Sequence, residues 1–588
     1  MAENNIEYLR HSLAHLLGAA VLELYPGSKL AIGPSIENGF YYDVDMNGKL
    51  SDDDLPQIEK KMREILKTWN KFEEIEETKD SAQSRYIENQ YKNELIRELA
   101  EKEEKITSYK SGDFVDLCRG GHVTSAKDIN PEAFKLSHVA GAYWRGNEKN
   151  PQLTRIYGFA FTTKKELNDY LAMLEEAKKR DHKKLGIELD LFTFSELVGP
   201  GLPLWTPKGT LLRNILDDYV WSLRKKRDYQ QVDIPHITKK DLYEISGHWD
   251  KFKDELFKIE TREGHIFAMK PMNCPHHTQI YARKPHSYRE LPQRYANTTK
   301  DYRDEQTGEL SGLSRVRAFT QDDAHVFCRM SQVKEEFLKI WDIVHEFYGA
   351  FGLALEVRLS RHDPEHPEKY LGDKDNWQKA EKVLQDLIKE KNVRAIDGLG
   401  EAAFYGPKLD FMAKDSLGRQ WQVATIQLDM NMPERFDLTC ANEKGEKERI
   451  VMIHAAIMGS IERFLSIIIE HYAGAFPVWL SPVQAMILPI SDKQNRWAES
   501  VRDKLKEAGL RAEVDLDNET LGKKIRQAEL QKVPYVLVVG EKEVEAKAVA
   551  VRQRGSFDKT QDKKGDIGQM KLDKFIDKIL KEIETKKS

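Results

Sequence analysis

Residues 302–328, YRDEQTGELSGLSRVRAFTQDDAHVFC, set Arg303, Glu305, Arg315 and Arg317 around a Gly-containing turn and then place Gln321, Asp323 and His325 at every second position. Side chains two apart share one face of a strand. The spacing therefore predicts a hairpin whose second strand carries an amide, a carboxylate and an imidazole side by side. Such a row is poor packing material, because polar groups taken out of water need partners. It reads either as a solvated hairpin with an incidental histidine or as the floor of a site that joins nucleotide-binding cations to a metal ligand. The rest of the chain decides between the two.

At 588 residues the chain exceeds the size at which a single core keeps growing, so about three or four domains are expected. Its 40% hydrophobic and 32% charged content is that of a soluble globular protein. It contains no apolar run of about 18 residues, and the start MAENNIEYLRHSLAH lacks the apolar centre of a signal peptide. A cytoplasmic protein without membrane association is the expectation. Four cysteines, Cys118, Cys274, Cys328 and Cys440, make no disulfide framework in so long a chain. The net charge of −5 is uneven: from Ser481 onward there are 23 Lys and Arg against 19 Asp and Glu, a net of +4 that leaves −9 for the rest. A basic terminal region on an acidic body points to a polyanionic partner, although Lys-rich helices are usually just solvated faces.

Along the chain, residues 1–160 mix short strands and helices: an amphipathic helix over 8–24, a strand at GFYYDV (39–44), charged helices to about Lys105, then the loop-rich DFVDLCRGGHV (113–123) and GAYWRG (141–146). Residues 164–184 read as one long charged helix with Leu167, Leu171 and Leu174 at helical spacing, a connector spanning 161–186. The Gly and Pro cluster VGPGLPLWTPKG (198–209) opens a new domain over 187–480. There an amphipathic helix carrying Leu211, Leu212, Ile215, Leu216, Tyr219 and Leu223 precedes the strand YQQVDIP, which Pro235 ends. Beyond Trp479 strand and helix patterns alternate, so 481–588 reads as a compact α/β domain with a mainly parallel sheet.

Two constellations carry chemistry. Cys274 in MKPMNCPHH, His325 in QDDAHVF and His454 in MIHAAIMG would together supply one thiolate and two imidazoles, a three-ligand zinc site with an open position. Local spacing alone leaves His276 and His277 equally eligible. The second constellation pairs His11 and His15, on one helix face, with Cys118 and His122 in a Gly-rich loop. These four either hold zinc or form a hydrolytic pocket with Asp116 as a polar partner; the bland alternative for the helical pair is a partly exposed helix face.

With these residues in view, the chain resembles the bacterial-type threonyl-tRNA synthetase family over essentially its whole length. The helix and strand ending at Pro235 resemble the first class II motif, which builds the dimer interface in that class. RDE (303–305) with RVRAFTQDDAH resembles the second, and GSIERF (459–464) the third. MKPMNCPHH, SGLSRVRAFTQDDAHVFC, FYGPKLDF, WQVATIQLD and VMIHAAIMGSIERF are more specific, and separate this family from prolyl and seryl relatives. The resemblance implies an α+β multidomain fold: an α+β editing domain, a class II catalytic domain on an antiparallel sheet, and a C-terminal α/β anticodon-binding domain. Two departures stand out. Asp304 occupies a position that is usually Asn, and the chain starts at the editing helix, whereas the family commonly carries a small β-rich domain ahead of it.

The resemblance also implies roles. Arg303 contacts the ATP α-phosphate, Arg463 and Arg315 the other phosphates, and Glu305 the neighbourhood of the adenine, with Mg²⁺ bridging the phosphates. Fixed guanidinium groups suit an in-line attack of a carboxylate on phosphorus, where charge develops on the phosphoryl oxygens. Gln321, Asp323, Tyr405, Lys408, Gln422 and Gln427 line the L-threonine and adenylate pocket, with Asp323 on the hydroxyl. Zinc on Cys274, His325 and His454 binds the amino and hydroxyl groups, so that valine leaves the metal unsatisfied. Serine carries the same groups and is smaller, so a second, hydrolytic site is chemically required. His11, His15, Cys118 and His122 match the family's editing signature, with Lys92 and Asp116 as partners, acting on seryl-tRNA without a tightly bound metal. Asn518, Arg526, Glu543 and Arg552 match positions that read unstacked anticodon bases of tRNA(Thr). A homodimer is implied as well. Two rival readings make different demands: a silent RNA-binding paralogue has no need of Arg303, Arg463 or the Cys/His triad, all of which are present, and a metal hydrolase resting on the first domain leaves the downstream chain without a role.

Overall fold

The computed structural model describes residues 2–555 and 565–586. Contacts divide the chain into two compact units, Met1–Glu176 and Ala177–Ser588.

In the first unit the helix Ala2–Leu24 is the core element. Residues 12–21 are buried on every face, so the helix is a central rod where an amphipathic surface helix was expected. It packs between the helix Leu55–Leu66 and an antiparallel sheet in which Lys29–Leu30, Gly39–Asp45, Gln152–Ala160 and Phe134–Tyr143 are neighbours. The last strand takes in the first three residues of GAYWRG, read from sequence as loop, and Trp144–Gly146 then form a 3-10 turn. A smaller sheet joins Glu73–Glu76, Thr107–Ser111 and Phe114–Leu117, which interrupts the helices expected to continue to Lys105. Glutamate-rich sequence favours helix by propensity, but here Glu73 pairs with Lys71, and Glu74 and Glu76 with Lys105, so the strand is held in a sheet edge by cation partners.

The connector is two helices, Lys164–Arg180 and His182–Glu188, where the spacing predicted one. Asp181 separates them, its carboxylate accepting the Lys183 N–H as an N-cap, and His182 turns into the core of the second unit.

The second unit is built on an eight-stranded sheet in the order Gln230–Gln231, Gln293–Tyr302, Ala318–Cys328, Val451–Ser460, Gln420–Asp429, Lys408–Lys414, Leu355–Arg361, Ala395–Leu399. Its pairings are antiparallel except the two outermost. The strand expected to run to Pro235 is only Gln230–Gln231. Helices Pro207–Lys225, Val333–Gly349 and Ile461–His471 cover one face, where Ala324, Val326, Ile453, Ala455, Ile426 and Leu428 pack. The intervening positions, among them Phe327 and Met452, belong to a separate cluster with Cys274 and Tyr405 on the other face. Period-two alternation thus assigns one face to the helices and the other to the site.

The terminal sheet runs Ala512–Val514, Ala485–Pro489, Tyr535–Val539, Ala548–Gln553, Asp566–Lys571. Its first two pairings are parallel and its last two antiparallel, which corrects the mainly parallel expectation. The cause is length. The helix after Tyr535–Val539 has six residues, Glu541–Ala546, too few for a parallel crossover of a dozen or more, and Lys547 in the left-handed region turns the chain back. Among the described residues, no helix is long and apolar enough to cross a membrane.

Candidate active site

On the open face of the large sheet lies a cavity of about 520 Å³. Its walls include Cys274, Arg303, Glu305, Arg315, Gln321, Asp323, Tyr405, Lys408, Gln422, Gln427, His454 and Arg463, so nearly the whole set read from sequence for ATP, threonine and zinc converges there. His325 lies fully buried beneath it.

His325 and His454 are direct partners on adjacent antiparallel strands, and Cys274 begins the helix Cys274–Ala282. The three ligand atoms lie within 4.8 Å of one another. The outer nitrogens are already engaged: His454 Nε2 donates to Asp429 Oδ2 at 3.0 Å, and His325 Nδ1 is 2.8 Å from His277 Nδ1. With its proton on Nε2, His454 presents a bare Nδ1 lone pair to His325 Nε2 at 3.1 Å. Burial keeps the His325 imidazole neutral and pushes the Cys274 thiol well above the usual thiol range, so these two are soft, neutral donors. A divalent cation would gather these lone pairs and displace the thiol proton, and zinc suits such a set. The residues fit the metal.

The structure also separates the two other candidates beside Cys274. His277 supports His325 from behind, and neither nitrogen of the buried His276 has a hydrogen-bond partner. His248, which no spacing flagged, is buried with Nε2 3.6 Å from Cys274 Sγ and Nδ1 2.9 Å from Ser246 Oγ. A lone histidine in GHW carries no local signal. Equally silent in sequence is the fully buried pair Lys270–Asp301, 3.0 Å apart, with Lys270 Nζ donating to Asn273 Oδ1 at 2.6 Å. Asn273 also holds the Asp323 carboxyl, whose pKa burial nonetheless raises. One step along the strand, Asp322 faces the helices, where it pairs with Arg224 and accepts the N–H groups of Ile457 and Met458 across a register shift between Gln321 and Asp323.

At the other end of the cavity Arg303 lies between Phe252 and Phe319, 5.4 and 5.1 Å from their ring centroids. Arg463 opens the helix Ile461–His471 beside Trp421. Among the described residues neither guanidinium has a carboxylate partner. Arg315 does, bonded to Glu305 at 2.7 Å and Glu309 at 3.2 Å. Lys408 pairs with the buried Asp410 at 2.9 Å, Gln422 donates to the same carboxylate, and Tyr405 donates to Gln427 Oε1 at 2.7 Å while stacking on His454.

The first unit holds a second cavity, of about 560 Å³, lined by His11, His15, Tyr42, Lys92, Asp116 and Cys118. Cys118 Sγ is 3.4 Å from His11 Nε2 and 3.3 Å from His122 Nε2. Lys92 and Asp116 pair at 2.7 Å with almost no solvent exposure, and the Tyr42 hydroxyl also donates to Asp116. Ser12 and Phe72, missed from sequence, hold His122 by a hydrogen bond and a ring stack. Burial pushes the Cys118 thiol up to about 12 and all three imidazoles below their usual value. The sulfur is therefore a neutral thiol at pH 7, which disfavours it as a nucleophile.

The four expected anticodon contacts are spread over the terminal domain. Asn518 and Arg526 are exposed on a loop and on the helix Leu521–Leu530, and Arg552 is on the strand Ala548–Gln553. Glu543 accepts from Gly540 N and Gln569 Nε2, so its carboxylate is engaged within the domain.

Comparison with known proteins bears on these sites. The class II tRNA synthetase core domain (G, H, P, S and T) matches residues 257–472, an anticodon binding domain matches 484–582, and the second additional domain of threonyl and alanyl tRNA synthetases matches 106–157. The chain is 50% identical over 581 residues to a threonine–tRNA ligase of Porphyromonas gingivalis, covering 98% of this chain and 87% of that protein. It is 49% identical to one of Acetivibrio thermocellus, covering 100% and 90%. A solved structure of a threonyl-tRNA synthetase RNA binding domain from Cryptosporidium parvum superposes with a TM-score of 0.64 at 38% identity, covering 68% of this chain and 98% of that one. A putative threonyl-tRNA synthetase from Aeropyrum pernix gives 0.62 at 29%, covering 69% and 96%.

Proposed function

The chain belongs to the threonine–tRNA ligase family of class II aminoacyl-tRNA synthetases, an enzyme with an editing domain that acts on threonine, ATP and tRNA(Thr), and from that premise we propose how its residues divide the work. Arg303 and Arg463 hold the phosphates of Mg²⁺-bound ATP, and Arg315 joins them when ATP replaces Glu305 and Glu309 as its partner. Asp323, steadied by Asn273, accepts the threonine hydroxyl, and Gln321, Tyr405, Lys408, Gln422 and Gln427 orient the rest of threonine and its adenylate. Cys274, His325 and His454 hold a zinc ion, which when bound supplies a Lewis-acidic position for an amino and a hydroxyl group. Threonine–adenylate forms with release of diphosphate, and the tRNA then displaces AMP.

In the first domain, 1–160, the neutral His11, His15, Cys118 and His122 and the Lys92–Asp116 pair place a water on the ester of seryl-tRNA. The connector is 161–186, the catalytic domain 187–480 and the anticodon-binding domain 481–588, where Asn518, Arg526, Glu543 and Arg552 read the anticodon loop. The enzyme works as a cytoplasmic homodimer.

The observation that carries this reading is one cavity with two guanidinium groups that lack carboxylate partners at one end and a buried Cys/His₂ triad at the other. Amino-acid-dependent ATP–diphosphate exchange tests it. Exchange with threonine, weaker exchange with serine and none with valine is expected; exchange supported equally by valine would remove the selector role of the triad.

A further inference from the structure

The two arginine-bearing elements of the ATP end meet at one buried side chain outside the cavity, His182. Its Nδ1 lies 2.6 Å from Glu470 Oε1, so the carboxylate holds the proton on Nδ1 and leaves Nε2 with its lone pair. Nε2 accepts the backbone N–H of Leu313 at 3.0 Å. Leu313 is buried in the hairpin loop two residues before Arg315, and Glu470 lies two turns after Arg463 on the helix Ile461–His471. Glu470 is fixed in turn by the backbone N–H of His182 at 3.2 Å and by Arg419.

The loop is fitted to this imidazole. Gly312 adopts φ +52°, in the left-handed region, and a Cβ there would stand 2.3 Å from His182 Nε2. The ring cannot retreat, because Glu470 anchors its far side. Ser314 Oγ adds a 3.5 Å contact to Ser466 on the same helix, so the loop is tied to the Arg463 helix at two points.

We propose that His182 is a positioning residue for ATP: by bridging Glu470 to the Leu313 N–H it sets the spacing between the Arg315 loop and the Arg463 helix. The proposal rests on the phosphate roles given above to Arg315 and Arg463. His182 touches neither ATP nor threonine. Its removal should therefore alter the fit to phosphates and leave the metal and amino-acid end alone.

The test compares His182→Ala, His182→Gln and Gly312→Ala with the unaltered enzyme by equilibrium ATP binding in calorimetry, by the KM values for ATP and threonine in diphosphate exchange, and by zinc content. His182→Ala and Gly312→Ala should weaken ATP binding about tenfold, the order expected when a buried backbone donor loses its acceptor. The KM for threonine and the zinc content should stay within about twofold of the unaltered enzyme on the same grounds. Glutamine, which keeps one donor and one acceptor, should recover part of the loss. Unchanged ATP affinity in both variants, or equal losses for ATP and threonine, would overturn the role of His182. Should His182→Ala fail to fold, Gly312→Ala decides alone, because it leaves the imidazole and its Glu470 anchor in place. An unaltered enzyme without threonine-dependent exchange would instead overturn the activity reading, and the calorimetric comparison would still judge His182.

Discussion

His325 Nε2 stands 3.1 Å from His454 Nδ1 across two antiparallel strands, each imidazole held from behind, by His277 and by Asp429. Two ring nitrogens so placed beside a buried thiol form a donor set that fits a cation.

Zinc binding should therefore be governed by one proton. His325 is neutral throughout the working range and the Cys274 thiol lies well above its usual value, so binding displaces the thiol proton and affinity rises with pH. Competition with a chelator between pH 7 and 8 should show about a tenfold gain per pH unit. Cys274→Ser should lose the metal, and retention of stoichiometric zinc would place the metal elsewhere.

His277 acts on the site without being a ligand. Substituting it with Ala frees His325 Nδ1 and the ring's orientation, and zinc affinity should fall about 10- to 100-fold, the usual cost of removing an outer-shell partner. Chelator competition reads this directly. His276→Ala, at a side chain with no hydrogen-bond partner, should leave zinc affinity near that of the unaltered enzyme.

In the first domain, His11→Ala with His15→Ala should abolish deacylation of seryl-tRNA while threonine-dependent exchange continues. Lys92→Met alone should be worse for stability than Lys92→Met with Asp116→Asn. The single change strands a carboxylate that is 2% exposed, at a cost of about 3–5 kcal/mol. Thermal unfolding of the three proteins checks the order, and a double variant less stable than the single would rule out a charge-pairing origin.

Acid stability should depend on Glu336. Burial alone would raise its carboxyl, but the hydrogen bonds from Arg294 and Lys339 outweigh that and hold it below the usual value. The unfolded chain therefore takes up the proton first, so the contribution is complete above the ordinary carboxylate range near 4.5 and is lost as pH falls through the lower folded value. Glu336→Gln should lower the melting temperature at pH 7, and the gap to the unaltered enzyme should narrow steadily below pH 4.5. A gap independent of pH would show that the charge is not what stabilises.

Much of the site was legible. Gln321, Asp323 and His325 share a face because strand geometry is periodic and local, and Arg303 and Arg463 stand out because class II motifs are contiguous. His182, His248 and Lys270 were not legible, because Glu470, Cys274 and Asp301, the partners that give each its place, lie tens or hundreds of positions away, and His277 was legible only as a candidate ligand. Arg315 was legible as a cation, while its pairing with Glu305 and Glu309 shows only in the folded hairpin. The terminal sheet was misread because strand and helix order was taken as crossover topology, while a six-residue helix permits only reversal.

By itself the sequence determined the alternating faces, the family motifs and the kinds of chemistry present, all properties of residue type and short spacing, and the resemblance those motifs carry implied a second, hydrolytic site. Tertiary structure alone decided where each histidine stands around Cys274, since the family resemblance had named His325 and His454 while local spacing left His276 and His277 open. His276 and His277 are adjacent to it in the chain, yet His325 and His454 bring their nitrogens to its sulfur, because strand order and register bring distant residues together. That register is set by the burial of whole sheet faces, a cooperative term that no local window contains.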